Sequence, residues 1–254
     1  MIPFLNKKIF LTRTEEDNLN FQKCFNLLKP KYYPNEIFVS VPLLDIFFVN
    51  IKELYIQETN LIFTSRYGIK ALSELENLKL KKTYCVGKST AEIATQLGFK
   101  NICYPEEGNA RSLINLISKD KDMLQTFHYL RGNKVSFDLK KELSNLGYKI
   151  KETIIYKQKN NKLSDKQKSL IMSGEIGGII FFSSSVAKLF CKDIKIVPDG
   201  FLFFCISDRV ADNIIKSNIK GDYIIKVADK PNICLLYTSP SPRDTERSRM
   251  PSSA

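Results

Sequence analysis

The chain has 254 residues, is 43% hydrophobic and carries a net charge of +12 at pH 7. That length suffices for two modest domains with real cores, and no apolar run approaches the about eighteen residues a membrane-spanning helix needs. The opening MIPFLNKKIFLTRT shows neither an apolar h-region nor a small-residue cleavage site, so a cytoplasmic protein is expected.

In chain order, Ile9–Leu11 reads as a strand, and Thr14 with Asp17 three residues on starts a helix with Leu19, Phe25 and Leu28 as its apolar face. Lys29–Pro34, with two prolines, is a break. Glu36–Leu44 is extended, and Pro42 suits it to an edge or connecting strand. Leu61–Phe63 is a strand ending in Thr64 and Ser65, and Ile69, Leu72 and Leu75 give the next helix its stripe. In YCVGKSTAEIATQLGF (Tyr84–Phe99), Tyr84–Val86 is a short buried strand, Ser89 with Glu92 matches a capping box, and Gly98 supplies a left-handed C-terminal cap. Between strand and helix, Gly87, Lys88, Ser89 and Thr90 present helix N-terminal N–H groups to an anion. A nucleotide-binding P-loop is excluded, because Lys82 stands where that pattern needs glycine.

A strand at Asn101–Tyr104 follows, then a helix capped by Asn109 with Leu113, Leu116 and Ile117 inward. His128–Leu130 is a strand ending in Arg131 and Gly132. A helix with Leu139, Leu143 and Leu146 stops at Gly147, and Lys149–Tyr156 is extended. Lys157–Lys168 reads as a polar linker into a helix near Leu170. Then come the strand Ile179–Phe182, the serines Ser183, Ser184 and Ser185, a helix with Val186, Leu189 and Phe190, the strand Phe201–Ile206, a helix capped by Asp208, and the strand Tyr223–Val227. Strands alternating with helices predict parallel sheets covered on both faces.

Few catalytic constellations survive the composition. His128 is the one histidine, so a Ser-His-Asp triad would have to be built on it, and its strand-like setting reads as core packing. The six cysteines, Cys24, Cys85, Cys103, Cys191, Cys205 and Cys234, lack CxxC spacing, and four of them, Cys85, Cys103, Cys191 and Cys205, lie in or beside apolar segments, so they read as small buried hydrophobes with no disulfide and no metal site. The positive charge fits either an acidic partner or compositional bias. Without a long basic block or an aromatic-basic RNA motif, a polyanionic small molecule ranks above nucleic acid. From Leu235 the text changes to LLYTSPSPRDTERSRMPSSA, rich in Pro, Ser and Arg, which reads as foreign to the fold. It holds three arginines against Asp244 and Glu246, so +11 of the +12 belongs to the rest.

An internal repeat is visible. LIFTSRYGIKAL (Leu61–Leu72) matches IIFFSSSVAKLF (Ile179–Phe190), with Ser65 over Ser183 and Lys70 over Lys188, and CVGKSTAEI later matches CISDRVADN with Cys85 over Cys205. Two similar α/β domains are expected, with ligands held outside the C-terminal strand ends where these turns lie, the two sets facing one cleft.

The ordered series FLTR, IFTSRYGIKAL, CVGKSTAEIATQLGF, YLRG, ELSNLGYKIKETIIY, IIFFSSSVAKLF and FFCISDRVAD resembles the uroporphyrinogen-III synthase family over nearly all of Lys8–Ile233. The resemblance implies two HemD-like α/β domains, each a parallel sheet flanked by helices, joined by a two-stranded connector. It places residues 1–37 with 157–234 in one domain, 38–156 in the other and 235–254 outside both. It implies a lyase that converts hydroxymethylbilane, a linear tetrapyrrole with eight carboxylates, to uroporphyrinogen III, as a monomer without cofactor, metal, nucleic acid or membrane. A non-catalytic two-domain binder of an anionic metabolite or tetrapyrrole is the alternative.

Tyr156 matches the tyrosine of the family's return strand and is the expected proton donor, or else a tyrosine packed at the domain junction. Arg13, Thr64, Ser65, Gly87, Lys88, Ser89, Thr90, Arg131, Ser183 and Ser184 are the expected substrate contacts. For Thr90, Ser65 and Ser183 plain helix capping is the competing role, and for Arg13 an ion pair with Glu15 or Glu16. Thr14, Tyr67–Gly68 and Phe182 depart from residues common in the family, and a final helix expected after Pro231 is replaced by the tail. Its loss would leave a sheet face uncovered and lower stability.

Overall fold

The computed structural model describes residues 7–28, 37–50, 60–119 and 125–228. The expected break at Lys29–Pro34, Cys234 and the tail from Leu235 lie outside the described residues. In chain order the elements are β1 (Lys8–Leu11), α1 (Glu15–Leu28), β2 (Phe38–Ser40), β3 (Leu44–Phe48), β4 (Asn60–Phe63), α2 (Arg66–Ala71), β5 (Lys82–Cys85), α3 (Lys88–Gln96), β6 (Asn101–Cys103) and α4 (Ala110–Lys119). They continue with β7 (Thr126–Gly132), α5 (Leu139–Asn145), β8 (Lys149–Asn160), α6 (Asp165–Met172), β9 (Ile176–Phe181), α7 (Ser184–Asp193), β10 (Phe201–Cys205), α8 (Asp208–Ile215) and β11 (Tyr223–Val227).

Two compact units result: the described residues up to Asp45 and from Asn160 onward form one, and the described part of Ile46–Lys159 forms the other. The first holds a sheet in the order β11-β10-β9-β1-β2, parallel throughout. The second holds β3-β8-β7-β4-β5-β6, parallel from β8 to β6. At its β3 edge the direction reverses. The Val49 N–H donates to the Ile155 carbonyl and the Asn161 N–H to the Leu43 carbonyl, so the two strands run in opposite senses. This antiparallel pair is the two-stranded connector, with one chain crossing in β3 and the other at the end of β8.

Each sheet is apolar on both faces, as buried parallel strands require. In the first unit Phe10, Ile179, Phe181 and Phe203 pack with Val186, Phe190 and Ile214 of α7 and α8, while Ile9, Leu11 and Ile180 pack with Phe21 and Phe25 of α1. In the second, Leu61, Phe63 and Leu130 pack with Ile69 of α2 and Ala91 and Ala94 of α3, and Ile62, Tyr84 and Phe127 with Leu113 of α4 and Leu143 of α5. Neighbouring residues on one strand thus serve opposite cores. Each fully buried side chain of this size stabilises its unit by about 1.5–3 kcal/mol.

Several local expectations are corrected. Leu19 is 48% exposed, and Phe21 takes its place. The helix is phased by Asn18, which is fully buried because its side chain spans the Leu11 and Arg13 carbonyls and the Ser40 hydroxyl. Leu28's side chain lies outside the described residues. Leu146 is exposed beside the positive-φ Gly147. Lys157–Asn160 is strand and not linker, since β8 runs on to pair with β3. The helix after it starts with a capping box between Ser164 and Gln167. Asp208 is the first helical residue of α8, and Ser207 is its cap. Ser89 forms no capping box, because α3 starts at Lys88 with Gly87 as its cap and the Gly87 carbonyl accepting from the Thr90 and Ala91 N–H groups.

Candidate active site

The sheet order places one group of the expected residues in a row. Tyr156 lies on β8, Arg131 on β7, Thr64 and Ser65 directly after β4, and Gly87 through Thr90 at the start of α3 after β5. These strands are consecutive neighbours, spaced by about 4.8 Å. All four contribute from their C-terminal halves or the turns that follow, where open parallel sheets bind ligands.

Tyr156 is 3% exposed, and its ring packs near Tyr67, with centroids 6.0 Å apart. Burial raises its phenol above the ordinary value, and hydrogen bonding from Ser65 and from the Gly132 backbone partly offsets that. It is therefore a neutral O–H donor at pH 7. Ser65 caps α2 with its side chain accepting from the Tyr67 N–H at 3.3 Å. Thr64 shares a 2.8 Å hydrogen bond with the hydroxyl of Tyr129, a second buried phenol whose titration is also pushed up by burial. Arg131 donates from Nε and Nη2 to the two Glu152 oxygens at 3.0 Å each, and from Nη1 to the Gly132 carbonyl at 2.9 Å. The pair raises the guanidinium and lowers the carboxyl relative to their ordinary values.

At α3 the cap contributes no side chain. Gly87 has an extended backbone open to any residue, but a Cβ there would stand 2.7 Å from the Gly108 Cα, so close approach of two loops selects the glycine. Lys88 and Ser89 are exposed, with Lys88 Nζ 4.0 Å from Glu92. Thr90 is 4% exposed and does not cap the helix. The helix start offers N–H groups and a hydroxyl to an anionic group.

The first unit repeats the arrangement. Ser183 caps α7 by position alone, its hydroxyl bonded at 2.8 Å to that of Ser185, and Ser184 opens the helix. Directly after the neighbouring β1, the Thr12 hydroxyl donates to the Ile180 carbonyl at 2.6 Å and Arg13 follows. Arg13 pairs with Asp17 at 3.1 Å, while its guanidinium lies 5.0 Å from the Phe182 ring centre. That stacking gives the aromatic at position 182 its place. His128 is fully buried on β7 with Nε2 2.7 Å from the Thr153 hydroxyl, as a core histidine. Among the described residues no three His, Cys, Asp or Glu side chains converge as for a metal ion, and no helix is long and apolar enough to cross a membrane.

The family model described as uroporphyrinogen-III synthase HemD matches residues 37–233, well over half of the chain. The chain belongs to this family. A curated uroporphyrinogen-III synthase from Chlorobaculum parvum is 26% identical over 166 residues, 64% of this chain and 68% of the relative. Among solved structures, the uroporphyrinogen-III synthetase of Helicobacter pylori superposes with a TM-score of 0.62 at 17% identity, over 91% of this chain and 97% of that one. A mutant uroporphyrinogen III synthase from Thermus thermophilus gives 0.54 at 13% identity, over 90% and 96%. Both likenesses bear on the two-domain fold. Three residues of the candidate site escape sequence reasoning: Glu152, Tyr129 and Gly132 as a packing surface. Each depends on the β7–β8 or β4–β7 register, which no local pattern encodes.

Proposed function

We propose that the chain performs the family's reaction, cyclodehydration of hydroxymethylbilane to uroporphyrinogen III with inversion of the last pyrrole, in tetrapyrrole biosynthesis. The observation that carries the site assignment is the row formed by Tyr156 in the C-terminal half of β8, Ser65 after β4 and the open α3 N-terminus after β5, within the consecutive strands β8, β7, β4 and β5. In this reading the neutral Tyr156 phenol donates a proton to the departing hydroxyl, which leaves as water. The terminal pyrrole attacks the resulting azafulvene cation through its substituted α-carbon to give a spiro intermediate. The bond from that carbon to its original methylene bridge then breaks to leave a second azafulvene cation. The pyrrole's free α-carbon attacks this cation and loses its proton, which closes the ring inverted and restores the phenol. The turns of the second unit supply position and charge: N–H groups at Lys88 and Ser89, the Thr90 hydroxyl and the Lys88 cation engage substrate carboxylates. No cofactor or metal takes part, and the protein acts as a cytoplasmic monomer.

The test is a coupled assay with freshly generated hydroxymethylbilane, the product being oxidised and its type I and type III isomers separated. Type III formation that depends on the protein is expected. Tyr156→Phe should lower kcat by about 10²-fold, the usual scale for a positioned proton donor, with KM little changed. Binding accompanied only by type I at the spontaneous rate would replace the enzyme by a tetrapyrrole binder. Unchanged kcat in Tyr156→Phe would remove the phenol from the chemistry.

A further inference from the structure

We propose that the Arg131–Glu152 pair is a positioning device that aims the Tyr156 phenol by holding the Gly132–Asn133 peptide, and is not a substrate clamp. The proposal deepens the reading above and rests on it for the role of the phenol. Each of the three Arg131 nitrogens meets an acceptor of the chain itself: Nε and Nη2 take the two Glu152 oxygens at 3.0 Å, and Nη1 takes the Gly132 carbonyl at 2.9 Å. The other end of that peptide is held too. The Asn133 N–H donates at 3.1 Å to the carbonyl of Tyr156, and Asn133 Oδ1 accepts from the Gln158 N–H at 2.8 Å. One peptide plane is thus gripped at its oxygen by the guanidinium and at its nitrogen by the backbone of the tyrosine.

The grip falls where the ladder is weakest. The β7–β8 register shifts between Arg131 and Gly132, so regular strand pairing does not by itself fix the plane there. The Tyr156 ring rests on the same residue: a Cβ on Gly132 would stand 2.6 Å from Cε2 and Cζ and 2.9 Å from the hydroxyl oxygen. Rotation of this peptide would therefore move the surface that carries the phenol and turns it toward Ser65. A planar fork with three donors in fixed directions suits this task, and a lysine would supply charge without the fork. The pair is largely shielded, with side-chain exposures of 16% for Arg131 and 29% for Glu152.

The test uses the full chain labelled at tyrosine 13Cζ, with the Tyr156 resonance assigned from its loss in Tyr156→Phe. Arg131→Lys and the near-isosteric Glu152→Gln should each move that resonance and its titration, which burial raises and the hydrogen bonds of Ser65 and the Gly132 backbone lower. The other tyrosine signals, retained, show that the variants are folded. Gly132→Ala should do the same by displacing the ring. In the isomer assay kcat should fall about tenfold or more with KM within about twofold, the pattern of a misplaced group in an intact binding site. An unmoved resonance and titration in folded Arg131→Lys and Glu152→Gln would overturn the proposal. So would a raised KM with intact kcat in Arg131→Lys together with a lowered KM in Glu152→Gln, because that is how a substrate-binding arginine released from its partner behaves. Should Tyr156→Phe prove fully active, the catalytic role of the phenol fails, while the resonance still decides whether the pair positions it.

Discussion

Hydrogen bonds from Arg131 hold the Glu152 carboxyl below its ordinary 4.5, with the Coulomb attraction of the same guanidinium adding to them. A carboxyl lowered in the folded state contributes stability that is fully present above its unfolded pKa and is lost as pH falls through the folded one. The stability difference between the wild type and Glu152→Gln should therefore be constant above pH 4.5 and shrink below it. Chemical denaturation at a series of pH values measures this, and a difference that stays constant into acid would show the pair to be uncoupled. At this scale the sequence is partly legible. Tyr156, Thr64 and Ser65 announce themselves by ending apolar runs with hydroxyls; in the structure Tyr156 lies on β8 and Thr64 and Ser65 follow β4, with β7 between the two strands. Arg131 is legible as a cation but not as one whose nitrogens turn inward, since Glu152 lies twenty-one residues away and meets it only across the β7–β8 pairing.

Among the elements, α3 carries most of the proposed substrate contacts, and its start is fixed by the close approach of Gly87 to Gly108. Gly87→Ala is compatible with the extended backbone, so its effect comes from pushing the two loops apart, at about 1–3 kcal/mol. It should raise KM for hydroxymethylbilane more than it lowers kcat, and Thr90→Val should do so without the loss of melting temperature. A Thr90→Val variant with normal KM would take that hydroxyl out of the substrate site. The alternation of strands and helices is readable from apolar runs because the central strands β1, β9, β10, β4, β5 and β7 are buried on both faces. Helix starts are less readable. Ser89 and Glu92 satisfy a capping pattern, yet the turn geometry set by two glycines puts the helix cap at Gly87, two residues before Ser89, and Ser89 faces solvent. Likewise the polar text of Lys157–Asn160 hides a strand, because an edge pairing with β3 demands backbone hydrogen bonds and little apolar surface.

For the whole molecule, the net charge of +12 bears on how a substrate with eight carboxylates arrives. Raising ionic strength from about 0.01 M to about 0.1 M shortens the Debye length from roughly 30 Å to 10 Å. KM should rise several-fold over that range with kcat nearly constant, and a salt-independent KM would confine the charge effect to direct contacts. The repeat seen in the sequence recurs as a pair of motifs, β4 with α2 matching β9 with α7, each helix entered through a serine, Ser65 or Ser183. The connector has a further consequence for the order of assembly. The first unit is built from two stretches of chain separated by all of 46–159, so its closure entropy depends on how far apart those stretches roam. Once β3 and β8 have zipped together, Leu43 and Asn161 are hydrogen-bonded neighbours and the intervening unit counts as a tight hairpin loop. Shrinking the loop to that size lessens the closing penalty by about 3 kcal/mol. Folding of the inserted unit is thus a template for the one that encloses it in sequence, and damage to the insert's strand ends would be felt first as slow closure of its host.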